Sequence, residues 1–468
     1  MGSNTILNKL QSKNIFVEAT CGGMGVCGKC TVHVDGKPCL ACKTNYVEGM
    51  KIVVDHNADF AVLKNYENAE NHEDIEGLIN GTSFGVAIDI GTTTIAFALV
   101  DLDSKKVVFS HGVVNRQRAF GADVISRIKA AGDGKLDDLN RYIVEDINRG
   151  ISYICEECKI KYEDVQKIVV AGNTTMLHIL LKEDCRGLGQ YPFTPVFTDM
   201  KRLSSSKILD FLNCEMVLLP GVSTYVGADV VAGLLHVKQK DDEIFLLVDL
   251  GTNGEIALFN KGKIICTATA AGPAFEAGNI SCGVGSVPGA ISSAIYKKDY
   301  FEYNTIGDKE PIGLCGSGVL DVTAQLLLHE VIEETGSLED DITIVNDIVF
   351  TQKDVRELQL AKSAVRAGIE ILLSDAGLCH HDVDKVYLAG GFGHTLNLES
   401  AIILGILPEE WKSKVYTMGN TCLAGCVECL LNKNNFELVS GLKANATEIN
   451  LSAHPKFSDL FMEYMTFD

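Results

Sequence analysis

The sequence predicts an α/β protein built from two related halves behind a short cysteine-rich segment. Three observations carry that expectation. Five cysteines fall within the first 55 residues, apolar strands ending in Gly-Thr turns alternate with helical segments from residue 84 onward, and one strand-turn-strand pattern recurs 160 residues later. At 468 residues the chain exceeds one compact core, so two or three domains are expected. Its 46% hydrophobic content and 44 glycines against 9 prolines favour a globular α/β protein.

The charge narrows the partners. Lysine and arginine total 41 against 62 acidic residues, a formal charge of −21, which opposes nonspecific binding to phosphate backbones or anionic lipid. Neither nucleic acid nor membrane is expected as a partner. The first twenty residues hold no apolar signal-peptide core and no run of eighteen apolar residues follows, so the expected location is the cytoplasm. In such a chain sixteen cysteines point to metal ligation or ordinary buried thiols rather than disulfides.

Cys21-Gly-Gly-Met-Gly-Val-Cys27-Gly-Lys-Cys30 gives C-x5-C-x2-C in a glycine-rich loop, close to the plant-type ferredoxin spacing. Three thiolates must converge on a small anionic cluster, and glycines let the backbone wrap it with N–H groups aimed at its sulfurs. The fourth ligand comes from Cys39 or Cys42 in Pro38-Cys-Leu-Ala-Cys-Lys-Thr44. In ferredoxin-like modules the last ligand commonly sits in a Leu-Ala-Cys-x-Thr context, and that resemblance selects Cys42. A four-thiolate zinc site is the competing reading, although zinc ligands usually come as two knuckle pairs. Residues 1–55 form this 2Fe-2S segment, resembling a truncated β-grasp ferredoxin domain without its N-terminal hairpin. Residues 56–83, acidic and asparagine-rich, read as a linker.

The recurring pattern defines the rest. Val86-Ala-Ile-Asp-Ile-Gly-Thr-Thr-Thr-Ile-Ala-Phe-Ala-Leu99 and Leu247-Val-Asp-Leu-Gly-Thr-Asn-Gly-Glu-Ile-Ala-Leu258 each read as strand, polar turn, strand, which divides this region into halves at 84–240 and 241–468. Helical periodicity covers 137–155 and 352–373. The turn Gly91-Thr92-Thr93-Thr94 can offer amides and hydroxyls to phosphate oxygens, with Asp89 holding a hydrated Mg2+ ion. Asp249 with Gly251, Thr252 and Asn253 supplies a second such turn. A third piece, Val386-Tyr-Leu-Ala-Gly-Gly-Phe-Gly-His394, runs a strand into Gly390, Gly391 and Gly393, which permit close approach of a flat ring.

In this order the three segments resemble the two phosphate loops and the adenosine loop of the acetate kinase, sugar kinase, Hsp70 and actin superfamily. The resemblance implies a two-lobed actin-like (ribonuclease H-like) ATPase fold that binds ATP in an interdomain cleft and closes on it. Four further segments narrow it: Asn115-Arg-Gln-Arg-Ala-Phe-Gly-Ala-Asp-Val-Ile-Ser-Arg127, Val170-Ala-Gly-Asn-Thr-Thr-Met-Leu-His178, Ala271-Gly-Pro-Ala-Phe-Glu276 and Gly313-Leu-Cys-Gly-Ser-Gly318. Behind a 2Fe-2S segment, they resemble the reductive activators of corrinoid proteins along nearly the whole chain. For that family ATP hydrolysis accompanies one-electron reduction of cob(II)alamin to cob(I)alamin on a methyl-transferring corrinoid protein, with an external low-potential electron donor. The resemblance gives Asp89 and Asp249 the magnesium and water-positioning roles. It gives Gly91, Thr92, Thr93, Gly251, Thr252 and Asn253 the phosphate contacts, and Gly390, Gly391 and Gly393 the adenosine loop. Glu276 and Asp229 are further candidates for the cleft, Asp229 reading more readily as a helix cap. A homodimer is left open.

Other patterns read as structural. Cys422, Cys426 and Cys429 have radical-SAM spacing, but i, i+4, i+7 is one helix face, where cysteines act as small buried hydrophobes. Cys155 and Cys158 form a single C-x2-C without a second pair, and His380-His381 reads as a solvated turn. Competing functions are an actin-fold small-molecule kinase with a vestigial metal domain, an ATP-gated donor to another low-potential acceptor, and a nucleotide-dependent redox sensor.

Overall fold

A computed structural model describes residues 5–13, 15, 17, 30–54, 81–238, 242–251, 253–390 and 396–467. The chain divides into two compact units, the first ending at Leu218 and the second running from Leu219 onward, with 199–201 also grouped with the second.

Near the N-terminus a helix, Ile6–Ser12, packs on a small antiparallel sheet of β1 (Thr31–Val34), β2 (Lys37–Leu40) and β3 (Ile52–Val53), in the order β2-β1-β3. Ile6, Leu7, Leu10, Val32 and Ala41 form its core together with Cys30 and Cys42.

The rest of the first unit is built on a six-stranded sheet. Its strands are β4 (Phe84–Ile90), β5 (Thr94–Asp101), β6 (Lys106–Val114), β7 (Val165–Gly172), β8 (Lys201–Ser204) and β9 (Glu215–Leu218), in the order β6-β5-β4-β7-β9-β8. β4, β5 and β6 are an antiparallel meander, whereas β4, β7 and β9 run parallel. Strands buried on both faces read as continuous apolar runs, and β4 is buried along its length except at Asp89. The long helix Leu136–Glu157 buries Leu139, Ile143, Ile147, Ile151 and Ile154, a stripe at helical spacing.

The second unit repeats the theme. β10 (Ile244–Leu250), β11 (Gly254–Asn260), β12 (Lys263–Thr269), β18 (Lys385–Ala389), β19 (Val415–Gly419) and β20 (Ala446–Glu448) lie in the order β19-β18-β10-β11-β12-β20. Again a meander, β10-β11-β12, joins parallel strands, β10-β18-β19. A second sheet, β14 (Phe301–Thr305), β13 (Ala290–Tyr296) and β15 (Gly313–Leu314), and a hairpin, β16 (Ile342–Val345) with β17 (Ile348–Phe350), accompany it. Helices Gly316–Leu328 and Gln352–Ala376 complete the large apolar core. Thr351 and Asp354 cap the latter with a reciprocal box, and Gly377 closes it in the left-handed conformation.

The cysteine triplet lies on helix Thr421–Leu431, with Cys422, Cys426 and Cys429 all buried. This helix presses against helix Ala228–Val237 so closely that a Cβ on Gly425 would lie 2.1 Å from the Ala232 carbonyl oxygen. Cys155 and Cys158 are likewise buried, and burial pushes their thiols up to about 11 and about 12. Two expectations change. His380 is anchored rather than solvated: its Nε2 lies 2.7 Å from Glu370 Oε1, its ring meets Trp411 edge-on, and its carbonyl accepts the Trp411 indole N–H. Asp229 is not the helix cap, because Gly227 occupies that position and Asp229 Oδ1 accepts from the amide of Val230 beside it.

Candidate functional site: two Gly-Thr turns and a thiol pair

Both copies of the repeated motif are hairpins whose turn lies at the carboxyl ends of parallel strands, where ligands of α/β sheets bind. In the first unit Asp89 pairs with Ala96 of β5 and Ala171 of β7, and the Gly91 turn follows. Gly91 is demanded by close approach, since a Cβ there would lie 2.6 Å from the Thr94 carbonyl oxygen.

This turn is bound from one side by three buried residues. Asn115, the cap of the short helix Arg116–Ala119, accepts from the Gln117 amide and donates Nδ2–H to the Gly91 carbonyl at 2.9 Å. Asn173 caps helix Thr174–Leu180 through the Met176 amide and donates to Thr92 Oγ1 at 3.1 Å. Arg127, on helix Val124–Ala130, donates to the Thr92 carbonyl at 2.5 Å. The Thr93 carbonyl accepts from the Asn115 amide at 2.9 Å. In a trans peptide the C=O and the following N–H point in opposite directions. The three carbonyls so engaged therefore direct the amides of Thr92, Thr93 and Thr94 away from these partners, an arrangement suited to an anion.

The second turn has different surroundings. Asp249 stands opposite Glu255 across β10 and β11 and beside Ala389 of β18. Gly390, with φ of +117°, follows at once; a Cβ there would lie 2.4 Å from the Leu250 carbonyl oxygen and 3.2 Å from Asp249 Oδ1. Only glycine allows that approach. The Gly251 amide donates to the Asn253 carbonyl, closing the turn, and Glu276 Oε1 would be 3.6 Å from a Cβ on Gly251. Glu255 is buried, and its carboxyl is held well above the usual carboxylate range, first by burial and then by the charges of Asp229 and Asp249. Carboxylates so placed suit a shared proton; among the described residues no group of three or more His, Cys, Asp or Glu side chains is placed to hold a metal ion.

Thr252, Gly391 and Gly393 lie outside the described residues, as do Cys21 and Cys27. Of the cysteine set, Cys30 and Cys42 are brought together, Sγ to Sγ 3.2 Å, both nearly inaccessible. The Leu-Ala-Cys-x-Thr pattern acquires a reason here. The Ala41 amide donates to the Cys30 carbonyl, while the amide and hydroxyl of Thr44 both donate to the Leu40 carbonyl. The resulting tight turn delivers Cys42 beside Cys30. Cys39 sits within β2 opposite Val32, packed on the same small core. Two convergent, shielded sulfurs are the donor chemistry that an iron-sulfur cluster takes. Among the described residues no helix is long and apolar enough to cross a membrane.

Comparison with known families matches three consecutive descriptions: a 2Fe-2S iron-sulfur cluster binding domain over residues 4–66, the RACo middle region over 84–241, and the C-terminal domain of RACo, the ASKHA domain, over 243–468. The chain belongs to the RACo family, the reductive activators of corrinoid proteins. Its fold is accordingly the actin-like α/β ATPase fold behind a ferredoxin-like segment. Similar relatives include the corrinoid activation enzyme RamQ of Eubacterium limosum, 28% identical across 94% of this chain and 92% of RamQ. Another is a Co(II) methylated amine-specific corrinoid protein reductase of Methanosarcina barkeri, 26% identical across 81% of this chain and 76% of that protein. The solved structure of a reductive activator for corrinoid, iron-sulfur protein superimposes with a TM-score of 0.76 at 27% identity, covering 100% of this chain and 96% of that one.

Proposed function

We propose that this protein reductively activates a corrinoid protein, coupling ATP hydrolysis to one-electron reduction of cob(II)alamin to cob(I)alamin. The observation that carries the reading is the pairing, along one chain of the RACo family, of a 2Fe-2S cluster binding domain with an ASKHA domain. The bound cluster supplies a one-electron, low-potential donor. Cys21, Cys27, Cys30 and Cys42 hold it, and the shielded Cys30–Cys42 pair supports that assignment.

ATP and Mg2+ are the further cofactors. The outward amides of the first turn, with Gly91, Thr92, Thr93 and Thr94, take phosphate oxygens. Asp89 and Asp249 position the magnesium ion and the attacking water, supported for Asp249 by its carboxylate neighbours. Thr252, Asn253 and Glu276 act at the second turn, and Gly390, Gly391 and Gly393 at the adenosine. Residues 1–55 carry the electron, and the two ATPase halves span 84–240 and 241–468. An external low-potential donor reloads the protein in the cytoplasm.

The test mixes cob(II)alamin-loaded corrinoid protein with this protein, reductant and ATP, and follows the corrinoid absorption. Cob(I)alamin should form only when cluster, reductant and ATP are all present. Cys27→Ala should hydrolyse ATP without yielding cob(I)alamin, and Cys39→Ala should keep its iron while Cys42→Ala loses it. Equal cob(I)alamin yields with and without ATP would sink the coupling.

A further inference from the structure

Arg127 is wholly buried, and among the described residues every hydrogen-bond partner it has is neutral. Its Nη2 donates to the Thr92 carbonyl at 2.5 Å, its Nε to the Gly121 carbonyl at 3.1 Å, and its Nη1 to Gln117 Oε1 at 3.3 Å and Met176 Sδ at 3.2 Å. No carboxylate forms an ion pair with it among the described residues. A buried charge without a counter-charge costs several kcal/mol, and a neutral side chain could satisfy two carbonyls at less expense. Burial pushes the guanidinium down to about 9, with Arg118 adding to the fall and Asp123 opposing it, so it remains a cation at neutral pH. Beyond the opposing charge of Asp123, the far side of the first turn is a place from which a compensating negative charge would act on it. Arg127 binds the carbonyl of the same peptide whose amide, that of Thr93, faces the opposite way.

We propose that Arg127 is a positioning residue for the nucleotide phosphates: it locks the Thr92 peptide with its amide outward and holds a positive charge behind that amide, which the bound polyphosphate neutralises. The inference rests on the reading of the Gly91 turn as a phosphate loop. It adds a specificity element, because charge placed behind the turn strengthens binding in proportion to phosphate charge and leaves the nucleoside unaffected. Asn115 and Asn173 shape the turn without charge; Arg127 shapes and charges it.

The experiment compares Arg127→Gln, Arg127→Lys and Gly91→Ala in the full, cluster-loaded chain by calorimetry with Mg-ATP and with adenosine, using cluster absorbance and the nucleotide-free melting temperature as checks of folding. Arg127→Gln should weaken Mg-ATP about tenfold or more, the scale of a charge-assisted hydrogen bond, while adenosine affinity changes less than about twofold. Arg127→Lys, retaining charge with fewer donors, should recover most of the Mg-ATP affinity. Three results overturn the proposal. One is parallel loss of Mg-ATP and adenosine affinity in folded Arg127→Gln, and another is equal loss in the Lys and Gln variants. The third is unchanged Mg-ATP affinity in Arg127→Gln. The third result with weakened binding in Gly91→Ala removes Arg127 alone, whereas unchanged binding in Gly91→Ala removes the phosphate-loop reading as well.

Discussion

The two Gly-Thr hairpins share a motif and differ in what stands around it. The first is gripped by amide and guanidinium donors from Asn115, Asn173 and Arg127. The second is accompanied by the carboxylates of Asp249, Glu255, Asp229 and Glu276. One motif thus stands in two electrostatic settings, one lined by neutral and cationic donors and the other by carboxylates. A hairpin specifies only where the backbone goes; the charge it presents is set by side chains that arrive from elsewhere in the chain.

The largest effect expected from this difference falls on hydrolysis. Asp249→Asn, which removes charge where the carboxylates gather, should lower ATP turnover by about 10²–10³, the scale for losing one preorganised transition-state contact. Asp89→Asn should also cripple turnover. A steady-state ATPase assay that finds either variant fully active removes that aspartate from the site. Next in size is a contrast in steric tolerance. Gly91→Ala must push a Cβ to 2.6 Å from the Thr94 carbonyl, while at Gly251 the nearest atoms are at 3.6 Å. Gly91→Ala should therefore destabilise by about 1–3 kcal/mol and Gly251→Ala by much less in paired denaturant titrations. Equal losses would mean that the two turns are not distinguished by packing.

Asn173→Ala should cost about 1–2 kcal/mol through its helix cap and loosen Thr92 as well. An unchanged denaturation midpoint would show that the amide does neither. The smallest effect is a pH dependence at the second turn. Glu255 has a folded pKa raised above its ordinary value of 4.5. The folded state therefore binds its proton more tightly than the unfolded chain does. That contribution is fully present below the ordinary value and fades as pH rises through the folded one. In metal-free, nucleotide-free protein Glu255→Gln should remove this fall, so the melting-temperature difference between variant and parent should grow in the variant's favour as pH rises. A constant difference would mean that Glu255 is not strained.

What was legible in the sequence was what neighbouring residues decide. Strand-turn-strand periodicity placed β4–β5 and β10–β11, and Leu-Ala-Cys-x-Thr located a turn that Thr44 closes on Leu40. The supports of the first turn lie in Asn115–Arg127 and Val170–His178, two segments distinctive in sequence, yet their roles are not legible there. Asn115, Arg127 and Asn173 reach Gly91 and Thr92 across 24, 35 and 81 residues, and no local pattern encodes such a meeting. The one signal that could have marked Arg127 is its position three residues after Val124 and next to Ile128, on the face that this helix buries. Glu255 is adjacent in the motif, but its raised pKa depends on burial, on Asp229 from helix Ala228–Val237 and on Asp249 across the hairpin. The cap expected of Asp229 failed because Gly227 starts that helix, and the solvated His380 failed because Glu370 and Trp411 come from elsewhere in the chain.

The burial of the thiols has a consequence for handling and for the cell. Among the described cysteines Cys379 alone is exposed, while Cys155, Cys158, Cys185, Cys266, Cys315, Cys422, Cys426 and Cys429 are shielded. Thiolates, not thiols, react with alkylating agents and peroxide, and burial keeps Cys155, Cys158, Cys185 and Cys266 protonated far above neutral pH. The described part of the chain thus presents little thiol to oxidants, and chemical damage in air should concentrate there on the surface Cys379. Alkylation under native conditions then becomes a gauge of conformational opening, because each newly modified cysteine reports a helix or strand that has come apart.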